Sequence, residues 1–200
     1  LKAAAESLLQ GEPQKARSDY DRVMQNAQLS KTEQMGAEAL GGRIQLTLGN
    51  HSRAAQHHER VMALWGELKP GLAGLATADQ EMALSALAEA RFAEAEKLRL
   101  AAAKLQFPEF KAEATFDAVN EHVKKRVAPW VQAKLAAIRQ AEEAYIEVLK
   151  TKPLVPMWTV RSSSRVGAMW ADFLADVRST PVPKAWLGDG QTPEGVAYPK

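Results

Sequence analysis

Three of the chain's four histidines, His51, His57 and His58, fall with Glu59 inside nine residues, and imidazole and carboxylate are zinc-ligand chemistry. A helical zinc pair needs two ligands four apart on one face with a third from elsewhere, and that spacing is missing here. His51 and His58 are seven apart, two helical turns, which favours packing over ligation. Glu142 and Glu143 are adjacent and diverge by about 100° on a helix, so they cannot converge as a general acid and base. No Gly-rich phosphate loop, nucleophile elbow or His-Glu-x-x-His motif is present. Ser162 to Ser164, between Arg161 and Arg165, and the basic run Lys124 to Arg126 read as polar helix faces, and His122 as a solvent-facing residue. No catalytic residue, cofactor site or metal site is assigned, and the chain is read as non-enzymatic.

The elements that carry these residues are repeated. Leu8–Met24 and Leu46–Met62 align at an offset of 38 residues with six of 17 positions identical: Leu8/Leu46, Gly11/Gly49, Ala16/Ala54, Arg22/Arg60, Val23/Val61 and Met24/Met62. A fixed period of this size marks stacked helix pairs, in which each unit covers its neighbour's apolar face. Gly11 and Gly49 suit helix ends in the left-handed conformation, and Ala16 and Ala54 suit a close helix crossing. Tyr20 and His58 follow one turn later on the same face.

A Gly, a small residue five positions on and an aromatic at nine resembles the tetratricopeptide repeat (TPR), with Pro13 and His51 where a further aromatic is usual. The period is longer than that family's, so these are degenerate units. The resemblance makes His58 an aromatic substitute in a packing motif. Ala90, Phe92 and Ala95 repeat the spacing a third time, with a turn expected at Ala90-Arg91.

Further along, Ser30–Glu33 and Thr77–Gln80 read as capping boxes, and Asn50 as the cap of the helix it precedes. A helix is expected over about Lys111–Val127, broken or kinked at Pro129, then one over Trp130–Lys150 and a last one over about Met157–Val177. The last two should pair antiparallel as a cap. The expected fold is all-α, with about nine helices: degenerate repeats over 1–108 as an α-solenoid, a helical hairpin cap over 109–180 and a Pro/Gly-rich surface tail over 181–200.

Composition agrees with a chain that folds and buries a substantial core. Hydrophobic residues make up 46%, and 26 basic against 24 acidic side chains give a net charge of +2, too balanced to argue for nucleic acid or an anionic membrane. No cysteine is present, which excludes disulfides and thiolate chemistry. No apolar run reaches the ~18 residues that a bilayer span requires. The start at Leu1, inside a helical pattern, is read as a processed or excised end, with any targeting signal upstream.

Arg165-Val166-Gly167, Trp170-Ala-Asp-Phe-Leu174 and the Pro181–Lys184 exit, behind a Trp near the head of the helix, resemble the C-terminal half of TPR-containing envelope proteins of gliding and predatory bacteria. That resemblance implies a bacterial cell-envelope location, periplasmic or outer-membrane associated, and a place in motility machinery. The TPR resemblance implies a groove holding a protein or peptide partner, with Arg43, Gln45, Asp79 and Gln80 as contacts. Trp186 in the tail is a candidate partner anchor. The alternative is the helical accessory domain of a larger cell-wall enzyme whose catalytic domain lies elsewhere.

Overall fold

A computed structural model describes residues 1–26, 28–112 and 115–178, so Trp186 and the expected tail lie outside the described residues. The described residues are all-helical with no strand: α1 (Lys2–Leu9), α2 (Pro13–Asn26), α3 (Lys31–Thr47), α4 (His51–Leu68), α5 (Thr77–Ala103), α6 (Phe116–His122), α7 (Ala128–Leu149) and α8 (Pro156–Arg178). A 3-10 segment, Lys69–Gly74, joins α4 to α5, and a π-helical turn, Val123–Val127, joins α6 to α7.

The repeat has a local cause. Gly11 and Gly49 have φ of +76° and +77°, the left-handed region that an L side chain enters at a cost. After each, the next amide reaches back into the helix: Glu12 N to Ser7 O at 2.9 Å and Asn50 N to Gln45 O at 2.8 Å. Each glycine amide bonds one residue further on, to Leu8 O or Leu46 O, completing the same Schellman end twice. Ala16 and Ala54 are both buried at the crossings that follow.

Helix starts show where side chains decide. Ser30 and Glu33 form a full capping box at α3. Thr77 does not cap α5, a correction to the sequence reading: Ala76 holds the extended N-cap position, and Thr77 is already helical. Gln80 Nε2 instead reaches back to Leu75 O at 2.8 Å, as Gln34 Nε2 does to Leu29 O at 2.8 Å. Asn50 occupies an N-cap without a side-chain cap bond; its Nδ2 donates to Gln45 Oε1 at 2.9 Å.

The expected turn at Ala90-Arg91 does not exist, because α5 runs unbroken for 27 residues. Ala has no strong reason to leave a helix, and Ala83, Leu87, Ala90 and Ala95 are all buried along it. The expected helix from Lys111 starts instead at Phe116, behind the Thr115 N-cap, whose hydroxyl accepts from Ala118 N. Pro129 does not end the helix. The π turn ahead of it lies where the proline ring would otherwise press on the carbonyl four residues back, and widening that turn lets the helix continue.

Packing follows a pair rule. Helix α2 packs on α1, α4 on α3, α7 on α5, and α8 on both α5 and α7. Helices α3 and α5 lie parallel, since Thr32 meets Asp79 and Arg43 meets Glu89 in the same order along both. Met35, Ala39, Val61, Leu87 and Ala90 form one core among α3, α4 and α5. Ala95 and Ala102 of α5 form another with Ile138, Ala141 and Tyr145 of α7 and Met169 of α8. One long helix therefore contributes to the cores on both sides of residue 90.

Candidate functional site: the charged row across α3, α5 and α8

Because α3, α5 and α8 sit side by side, residues at matching heights meet across them. Arg43 Nε lies 2.9 Å from Glu89 Oε1. Glu89 is 6% exposed, and that oxygen accepts no well-directed hydrogen bond, so the contact is an ion pair off the hydrogen-bond line. Burial pushes the Glu89 carboxyl up to about 7, with Arg43 and then Arg161 pulling it partly back. The Arg161 guanidinium stacks over the Trp158 ring, 5.0 Å from its centroid. Trp158 Nε1 and Ser162 Oγ, one turn apart on α8, are also buried with no hydrogen-bond partner among the described residues.

Two turns further along α5 the pattern recurs with its polar groups satisfied. Glu96 Oε1 accepts from the Tyr145 hydroxyl, from Arg99 Nε at 3.1 Å and faces Arg165 Nε at 3.0 Å; Oε2 accepts from Arg99 Nη2 at 3.0 Å. Burial pushes the Glu96 carboxyl up, but the donors and cations outweigh it and leave it below its usual range. Burial and the bond to Glu96 raise the Tyr145 phenol. The side chains of Arg43 and Arg165 remain 47% and 49% exposed, so each can hold its glutamate and still meet a third group.

The assigned groove residues fall unevenly on this face. Arg43 is in the row. Asp79 is half-buried and accepts from Thr32 Oγ1 at 3.2 Å, at the start of the same parallel contact. Gln80 and Gln45 spend their amides inside the protein, on Leu75 O and Asn50 Nδ2, and Gln45 is buried. Glu89, Trp158, Glu96 and Tyr145 join this row without belonging to any motif of the sequence. The signal for Glu89 was a lone carboxylate in an Ala- and Leu-rich run, Ala83–Ala90. Ser162, read as part of a polar face, is fully buried, while Ser163 and Ser164 are exposed.

The histidine segment sits on the other side of α3. Its Gly41-Gly42 pair admits two rings: a Cβ on Gly41 would stand 2.6 Å from His57 Cε1, and one on Gly42 would stand 2.6 Å from His58 Nε2. His57 Nδ1 is 2.6 Å from Glu38 Oε2, so the ring turns that N–H to the carboxylate, and Arg60 Nε donates to the same oxygen at 2.8 Å. Arg60 Nη2 also lies 2.8 Å from that ring nitrogen, so the guanidinium lies against both the carboxylate and the imidazole. Burial pushes Glu38 up, and these donors bring it net below its usual range.

Tyr20 meets His57 edge-on, 5.9 Å between centroids. His58 is held below its usual pKa by burial first, then by the neighbouring His57. Met24, Leu29, Gln34 and Leu64 line an open pocket of about 380 Å³ beside Glu38 and Arg60. His51 is exposed. His122 does not face solvent: it is half-buried, with Nε2 3.2 Å from Pro108 O and its ring edge-on to Phe110. Among the described residues, no three His, Cys, Asp or Glu side chains gather as a metal site would need, and no helix is long and apolar enough to cross a membrane. Comparison with family models, with curated proteins and with solved structures finds no match for this chain.

Proposed function

We propose that this chain is a non-enzymatic protein-interaction scaffold of the TPR-like solenoid kind, which holds a peptide or partner domain along the facing sides of α3, α5 and α8. The observation that carries the reading is the row of half-exposed arginines, Arg43 and Arg165, each anchored on a glutamate of α5. An arginine held by a partly buried carboxylate is pre-positioned, so less side-chain entropy is lost when it binds a third group. Arginine is also among the residue types enriched at binding hot spots. The motif Arg165-Val166-Gly167 with Trp170–Leu174 supports a role in a bacterial cell envelope or motility machinery.

A photo-crosslinking residue in place of Arg43, compared with one in place of the exposed Arg53 on α4, tests the reading in extracts of the source cells. A discrete protein captured from position 43 and not from 53 is the expected result. Capture only from 53, or from neither, removes the groove assignment.

A further inference from the structure

Arg60, Arg91 and Arg99 spend N–H groups inside the protein: Arg60 Nε on Glu38 at 2.8 Å, Arg91 Nη1 on Glu147 O at 3.0 Å and Arg99 Nε on Glu96 at 3.1 Å. Arg43, Arg161 and Arg165 differ. All three are exposed, and none donates a hydrogen bond among the described residues. Arg43 and Arg165 pair with Glu89 and Glu96 at 2.9 and 3.0 Å, off the hydrogen-bond line, and Arg161 acts on Glu89 by charge alone. A guanidinium carries five N–H donors, so these three take their acceptors from outside the fold.

The charges divide into two stations on one open side of α5. Glu89 lies under Arg43 and Arg161, and Glu96 under Arg99 and Arg165. Glu89 is buried and Glu96 half-buried, whereas Arg43, Arg161 and Arg165 are exposed, so an approaching group meets the cations first. Two cations over one anion leave each station a single positive charge in excess, which a carboxylate matches and a phosphate dianion exceeds. Glu89 and Glu96 are two turns apart, about 10.5 Å along α5. Three residues of a polyproline-II backbone, at ~3.1 Å each, cover nearly that distance and bring a side chain back to the same side. Asp79 on α5 before Glu89, and exposed Asp172 on α8 two turns after Arg165, bound the stretch with negative charge, so the acidic run it accepts is short.

We propose that the occupant of the side shared by α3, α5 and α8 is an acidic peptide segment, with side-chain carboxylates three residues apart seated on Arg43 and Arg161 at one station and on Arg165 at the other. The inference rests on the groove reading above and names the chemistry of its partner. A basic segment would meet the exposed guanidiniums first and reach the glutamates only by displacing them.

Fluorescence anisotropy with the full chain tests this, using a short peptide capped at both ends with glutamate at every third position, beside its glutamine, lysine and phosphoserine counterparts. The glutamate peptide should bind tightest. Arg43→Gln and Arg165→Gln should each weaken it by roughly tenfold, the loss of one charge-assisted contact, and Arg53→Gln on α4 should leave it unchanged. Circular dichroism of each variant confirms the helical fold. Glu96 keeps Arg99 and Tyr145 when Arg165 is replaced, so that variant carries the test if Arg43→Gln unfolds. Equal binding of the glutamine or lysine peptide overturns the proposal, as does tighter binding of the phosphoserine peptide or an unchanged affinity in the folded arginine variants. If the glutamate peptide does not bind while a crosslinker at position 43 still captures a discrete protein, the acidic occupant is wrong and the groove reading stands; if both fail, both fall.

Discussion

Arg43 Nε stands 2.9 Å from Glu89 Oε1, tying α3 to α5 through a carboxylate that is almost wholly buried. The pair is a compromise: one cation half in water cannot repay the full desolvation of the acid. The consequence is a proton that the folded protein holds near neutrality.

Glu89 should make stability fall with pH in a definite window. Its folded pKa of about 7 is above the ordinary 4.5, so the native state binds more protons than the unfolded state between those values. Stability attributable to this group is therefore greatest below pH 4.5, declines as pH rises through 7 and is level above that. Glu89→Gln should remove the decline and gain on the order of 3 kcal/mol relative to the parent between pH 4 and pH 8. Urea unfolding of both proteins at the two pH values measures this; an unchanged difference between them would sink the assignment.

Gly41 and Gly42 are where a methyl group should hurt most. Gly41→Ala and Gly42→Ala each place a Cβ 2.6 Å from an imidazole, and should cost about 1–3 kcal/mol as His57 or His58 is displaced. Gly66→Ala, in α4 with nothing within 4 Å, should instead stabilise by up to ~1 kcal/mol through helix propensity. Thermal unfolding midpoints that move the same way in all three variants would contradict the close approach.

Tyr145→Phe removes a buried hydroxyl from Glu96 and leaves the carboxylate to its two arginines. A loss of about 1–3 kcal/mol is expected, as for other hydrogen bonds to charged groups. Combined with Glu96→Gln, the two effects should be markedly less than additive, and a double-mutant cycle measures the coupling. Strict additivity would mean that the two side chains do not act together.

The paired helix ends should respond alike. Gly11→Ala and Gly49→Ala each force a Cβ into a left-handed residue with φ near +76°, and a cost of about 1 kcal/mol is expected at both sites. Calorimetric midpoints that fall for one and not the other would deny the equivalence of the two units.

Much of this fold was legible because its causes are local. The glycines that end α1 and α3 and the Ser30 capping box act within one turn of the chain, and each element begins or ends where they place it. The errors came where distant contacts outweighed a local signal. The spacing at Ala90-Arg91 matches that of Gly11 and Gly49 and so suggests a turn, but an alanine buried against α3 and α4 has no reason to leave its helix. Thr77 had the right type for a cap and the wrong register by one residue, because Ala76 is the last extended position.

The candidate site was harder to read for the same physical reason. Arg43 could be named, but Glu89 is separated from it by 46 positions, and nothing in either neighbourhood announces that they touch. Read alone, the sequence determined an all-helical chain, its repeated helix ends and the small residues that let helices cross, since these follow from backbone conformation and periodicity. The tertiary structure alone decided which helices lie parallel, and hence which charges face one another. Helix rotation and the pairing of distant segments arise from packing summed over whole faces, and no single residue encodes that sum.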